Sequence, residues 1–134
     1  MQTFLPYPNF QRSAIVLDRQ RLGKQRVEGY QILRTLVGIS TGWSNHPATR
    51  MWRGYTPALR HYTQVCIDEW LHRGYKNTIV LPDALPTDDK GYPPWLGDPT
   101  IHASHRSNLL RKMPQHYACY GWTEPSDLPY VWPV

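Results

Sequence analysis

Cysteine is nearly absent from this chain, and Cys66 and Cys119 alone cannot build a disulfide framework. Both sit in part-apolar, helix-like contexts and are expected as reduced thiols. No run approaches the roughly 18 apolar residues that a membrane span needs. The opening Met1 to Phe10 has no basic segment leading into an apolar one, so no secretory leader is expected. Internal repeats and low-complexity tracts are also missing. No segment alternates apolar and polar residues for long, which argues against strands. At 134 residues the chain is expected to form a single domain, 1–134, with room for one core and no second domain.

Acidic residues are scarce in the N-terminal part. Up to Leu81, eleven Lys and Arg face four Asp and Glu; from Pro82 onward, four basic residues face six acidic ones. The net charge of +5 is therefore concentrated in one part of the chain, which points to a polyanionic partner. Aromatic residues make up 13%, with six Trp and nine Tyr. Such rings can stack on exposed bases, although most are expected to fill the core of so small a domain.

Proline and glycine place the elements. Pro6 and Pro8 hold the first residues extended, and Asn9 is positioned to cap a helix starting at Phe10. Phe10 to about Val37 reads as helix with a break near Asp18; Tyr30, Ile32, Leu33, Leu36 and Val37 give its second half an apolar face. A loop at 38–42 and a short turn of helix around Ala48 to Trp52 come next. Thr56-Pro57 opens the clearest helix, lined by Leu59, Tyr62, Cys66 and Trp70, and Gly74 ends it. Residues 80–100, with Pro82, Pro86, Pro93, Pro94 and Pro99, read as a long irregular connection, either functional or packed over the core by its own Trp95 and Tyr92. A third helix is expected from about His102 to Lys112, a short one from Pro114, and an extended tail after that. The expected fold is all-α: three principal helices, long loops and an extended N-terminal arm.

The densest chemical feature is Asp18-Arg19-Gln20-Arg21-Leu22-Gly23-Lys24-Gln25-Arg26-Val27-Glu28. On a helix, Arg19 and Arg26 share one face, while Arg21, Lys24 and Glu28 approach one another on another. Arginines there can grip phosphates bidentately, and a solvated face with local ion pairs is the competing reading. Asp18 is equally readable as a helix cap. His102 and His105, three apart, are polar candidates for a DNA-facing surface, or a helix start capped by Thr100; no carboxylate or Cys cluster completes a metal site with them. The α-amine of Met1 is a further candidate nucleophile. Such amines titrate near 7.7–8, so at pH 7 about a tenth is unprotonated. Gln2 is too bulky for ordinary methionine removal, so Met1 is expected to be retained.

Taken in order, these segments resemble the pyrimidine-dimer DNA glycosylase family typified by bacteriophage endonuclease V. Met1 to Leu5 resembles its short arm, Arg19-Gln20 to Gln25-Arg26-Val27 its Arg-Glu helix segment, and Asn45-His46-Pro47 a sequence of its bacterial branch. Cys66 to Tyr75 is similar to its second long helix, and His116-Tyr117-Ala118-Cys119-Tyr120-Gly121 to its aromatic segment near the lesion. The resemblance implies a cofactor-independent glycosylase and AP lyase without a metal. It would act as a cytoplasmic, nucleoid-associated monomer on double-stranded DNA bearing a lesion or modified base. Met1 would attack C1′ of the damaged nucleotide and form an imine, with a glutamate assisting. Gln20 aligns with that glutamate, and an amide cannot take a proton. Either Asp18 or Glu28 supplies the carboxylate, or the lyase step is impaired. Arg19, Gln20, Arg21, Lys24, Gln25, Arg26, His46, His102, His105, Tyr117 and Tyr120 are the implied DNA-contacting residues. A non-catalytic binder of distorted DNA or RNA is the alternative.

Overall fold

The computed structural model describes residues 1–83 and 89–134. Among them it has six α-helices and no strand: α1 Phe10–Val16, α2 Arg19–Leu36, α3 Pro47–Arg50, α4 Thr56–His72, α5 Pro99–Lys112 and α6 Pro114–Tyr117, with a 3-10 turn at Ala118–Tyr120. The all-α expectation holds. Pro86, part of the expected long connection, lies outside the described residues.

Local chemistry sets the boundaries. Asn9 caps α1, accepting the Arg12 N–H at 2.9 Å. The break near Asp18 is real: Leu17 is extended, and Asp18 caps α2 through the Arg21 N–H. Helix α4 ends in a Schellman motif, with the Gly74 N–H on Leu71 O and the Tyr75 N–H on Trp70 O. Gly74 itself takes φ +91°, a region costly for any residue with a Cβ. One boundary differs from expectation. Helix α5 begins at Pro99 and its cap is Asp98, not Thr100; the Asp98 carboxylate accepts the Thr100 N–H at 2.9 Å. A proline at the first helical position offers no N–H that needs a partner, so the helix starts earlier than its apolar pattern indicates.

The core forms where α2 crosses α4, with α1 packed on α4. Leu22, Ile32 and Leu33 from α2 and Leu59, Tyr62 and Cys66 from α4 are fully buried. Trp52 stacks on Tyr62 and meets Trp95 edge-on at 5.0 Å, so these rings do fill the core. The crossing is close because Gly29 faces Thr63. A Cβ built at Gly29 would fall 2.4 Å from Thr63 Oγ1. Thr63 cannot easily yield, since it is fully buried and its hydroxyl donates to Leu59 O at 2.8 Å. Gly29→Ala is therefore expected to destabilise by about 1–3 kcal/mol from overpacking, partly offset by about 1 kcal/mol of helix propensity. Thermal melts check this: Tm should fall by several degrees and recover in Gly29→Ala/Thr63→Ala, because contacting residues couple. An unchanged Tm in the single variant contradicts the close crossing.

Candidate active site

The N-terminal arm threads through the molecule as an extended segment with no sheet partner. Buried backbone N–H and C=O groups need partners, and here side chains supply them one by one. The Gln25 amide donates to Gln2 O at 2.9 Å and its carbonyl accepts the Phe4 N–H at 2.8 Å. Tyr130 donates to Thr3 O, and the Tyr62 hydroxyl reaches both Phe4 O and the Gln25 carbonyl. His105 Nδ1 accepts the Leu5 N–H at 2.9 Å, while His102 Nδ1 donates to Leu5 O at 2.7 Å. Arg106 donates to Pro6 O and is itself held by Glu124. Ser13 accepts the Tyr7 N–H and donates to Tyr7 O. The Trp52 indole donates to the Thr3 hydroxyl, so even that side chain is fixed. Chain termini ordinarily fray; this one is anchored from residue 2 onward.

The two histidines act as a pair of opposite tautomers. His102 takes its proton on Nδ1 and accepts the Gly97 N–H on Nε2, whereas His105 accepts on Nδ1 and carries its proton on Nε2. His105 stacks on Tyr130 at 4.5 Å, and its buried Nε2 has no partner. Burial pushes the His105 imidazole down to about 3, and burial also lowers His102. Both are neutral in the fold at pH 7, and the unfolded chain binds more protons below about 6.5. Stability should accordingly fall as pH drops from 6.5 toward 3, by up to about 1.4 kcal/mol per pH unit from His105, with His102 adding to the fall just below 6.5. Melts at pH 7.5, 6 and 5 should show this slope, and His105→Gln should flatten it. An identical slope in that variant would assign the acid sensitivity elsewhere.

The anchored arm delivers Met1 to a cavity of about 210 Å³ lined by Arg21, Lys24, Gln25, Glu28 and Lys112. Glu28 approaches the first residues closely. Its Oε2 accepts the Gln2 N–H at 3.4 Å and lies 3.5 Å from the Gln25 amide nitrogen. Burial raises the Glu28 carboxyl above the ordinary carboxylate range, against the opposing pull of the Gln2 N–H, the N-terminal ammonium, Lys24 and Lys112. The site thus sets an amine beside a half-buried carboxyl, with three cationic side chains at the rim. Such a set can exchange protons with a bound substrate and hold its anionic groups.

The residues expected at this site separate into distinct groups. Glu28, Arg21, Lys24 and Met1 come together. Asp18 does not join them: it is buried as the α2 cap, takes the Tyr117 hydroxyl at 2.5 Å and pairs with Arg21. Arg19 and Gln20 are exposed at the start of α2, and the Gln20 side chain accepts from Arg21 at 3.1 Å. Arg26 does not reach the cavity at Met1: it is stacked over Trp70 at 4.3 Å and bonded to Asn77 at 2.6 Å, and with Arg19, Gln20, Lys24 and Glu28 it lines an adjoining groove on α2. His102, His105 and Tyr117 are at most 2% exposed, so the expected DNA contacts from them are corrected: their polar atoms serve the arm, the Gly97 N–H and the α2 cap, while the equally buried Gln25 holds the arm and lines the cavity at Met1. Tyr120 packs against Trp122, Tyr117 and His116 and does not line the cavity at Met1. His46 caps α3, its Nδ1 accepting the Ala48 N–H, and both burial and the N-terminal charge hold its imidazole low. Lys112 carries no sequence signal for this site. It lies at the end of α5, far from Met1 in sequence, and only the fold brings the two together.

Among the described residues no cluster of three or more His, Cys, Asp or Glu is placed to hold a metal, and no helix is long and apolar enough to cross a membrane. Met1, the half-buried Glu28 and the cations Arg21, Lys24 and Lys112 thus face one cavity. Residues 1–83 match the family model of pyrimidine dimer DNA glycosylases, and the chain belongs to that family. Membership implies a DNA substrate and glycosylase activity on pyrimidine dimers. The matched span holds the arm, α1 to α4, Glu28 and His46, while α5 with His102, His105 and Lys112 lies beyond it. Neither a curated protein nor a solved structure matches the chain significantly.

Proposed function

We propose that this protein, acting as a single-domain monomer on lesion-bearing duplex DNA, is a glycosylase with an associated AP-lyase step. In this reading Met1 is the mature N-terminus and its α-amine attacks C1′ of the damaged nucleotide. The C1′–N bond breaks, and its electron pair and a proton leave with the base. Opening of the sugar turns the adduct into an imine. Glu28 is the acid/base: its raised carboxyl can give a proton to the sugar oxygen, and as the carboxylate it can then take one from C2′. Loss of the C2′ proton expels the 3′ phosphate by β-elimination. Arg21, Lys24 and Lys112 hold the flanking phosphates.

The observation that carries this reading is the anchoring of residues 2 to 7 by side chains from α2, α4, α5 and the tail, which fixes the amine beside Glu28. Preorganisation of that kind is what covalent catalysis by a terminal amine requires. The decisive assay pairs gel shift with strand incision on a duplex carrying one cis-syn thymine dimer. The reading expects a retarded complex and incision at the dimer without added metal or cofactor. The cyclobutane ring tethers the cleaved thymine to its neighbour, so retardation with no incision, and no thymine set free when the product is photoreversed, would leave the binding module.

A further inference from the structure

An aromatic row leads from the surface to the arm. Trp43, 41% exposed on the loop between α2 and α3, meets His46 edge-on at 5.5 Å. His46 meets Trp132 at 5.8 Å, Trp132 packs on Tyr130 at 4.3 Å, and Tyr130 bonds to Thr3 O, two residues from the amine. The loop that carries Trp43 is pinned. The Ser44 N–H and hydroxyl both reach Thr41 O, the His46 N–H reaches Trp43 O, and Arg53 donates to Ser44 O at 2.7 Å. A large ring is thus held half-exposed on a fixed backbone, close in the fold to the reacting end of the arm.

The surroundings indicate what that ring meets. Two arginines stand beside the loop, Arg53, which donates to Ser44 O next to the ring, and Arg50 on α3 behind His46, and from Gly29 to Ile67 the sequence has no Asp or Glu. Aromatic faces in a cationic setting suit nucleobases, because every base has a π-face and its phosphate is drawn by the arginines. Paired bases inside an intact duplex are not available for such stacking, whereas those at a distorting lesion are cheaper to unstack. His46, kept neutral beside the ammonium, backs the row without adding charge.

We propose that Trp43, backed by His46 and Trp132, stacks on a nucleobase that the lesion leaves poorly paired, and so discriminates damaged from intact duplex. The inference rests on the reading of the chain as a lesion-acting DNA enzyme. The test measures binding of the full chain, Trp43→Ala and Trp43→Phe to one duplex with a cis-syn thymine dimer and to the same duplex undamaged, at one salt concentration. Trp43→Ala should weaken binding to the dimer duplex roughly five- to hundredfold, the range of one base–aromatic stack, and leave the undamaged duplex within about twofold. Trp43→Phe should recover most of the loss. Equal losses on both duplexes, or none on either, overturn the inference, as does a native chain that shows no preference for the dimer. Borohydride trapping on the same samples separates the two claims. Trapping unaffected by Trp43→Ala, with affinity unchanged, ends the stacking role and leaves the glycosylase. A selective affinity loss in Trp43→Ala, beside a native chain that never traps, ends the covalent chemistry and leaves the stacking role.

Discussion

Glu28→Gln should cut the rate of dimer incision by roughly 10²–10⁴-fold, the range of a lost general acid or base, while the fold holds its stability. The two halves of this result come from one observation. Burial raises the carboxyl, so the folded chain holds that proton to higher pH than the unfolded chain does. The native state therefore loses stability as pH rises from about 4.3 through the raised value. At neutral pH an amide removes that cost and still offers an oxygen to the Gln2 N–H. Tm at pH 7 should be unchanged or higher, and incision should fail. A Tm that falls in step with activity would make Glu28 a structural residue. Asp18→Asn provides the contrast, since it disturbs the α2 cap and the Tyr117 bond and should lower Tm instead.

Blocking the N-terminus should abolish covalent trapping and leave DNA binding within about tenfold, because one charge among several phosphate-facing cations is removed. Acetylation takes away the nitrogen lone pair. An uncleavable N-terminal tag moves the amine out of a cavity of about 210 Å³ that already holds Met1. Trapping efficiency and gel-shift affinity, measured on the same blocked sample, distinguish loss of chemistry from loss of binding. If a blocked chain still traps, a lysine at the rim is the nucleophile, with Lys24 and Lys112 in reach of the same cavity.

Much of the frame is legible in the sequence because local rules govern it. Asn9, Asp18, Pro57 and Gly74 announce caps, first turns and stops within a few residues of where they act. The site is legible only in part. The run from Asp18 to Glu28 reads as a helix with charged faces, yet sequence alone cannot say which face receives the arm. That choice is made by partners 21 to 127 positions away: Gln25 with Phe4, His105 with Leu5, Tyr130 with Thr3. His102 and His105 look like surface residues because they are polar. They are buried because an extended arm without a sheet needs acceptors and donors that only side chains can supply. The expectation that Gln20 takes the glutamate's place likewise misleads, since the carboxylate beside the arm stands two helical turns later, at Glu28. Lys112, brought in by the end of α5, has no local pattern that marks it.

Which nitrogen bonds to the sugar is the central question, and peptide mapping of the borohydride-reduced complex reads it directly. Trypsin should release residues 1–12 carrying the sugar remnant, and this peptide contains no lysine, so its only amine is that of Met1. An adduct on residues 1–12 is the predicted result. An adduct on Lys24 or Lys112, with residues 1–12 unmodified, would contradict the assignment of Met1 as the nucleophile.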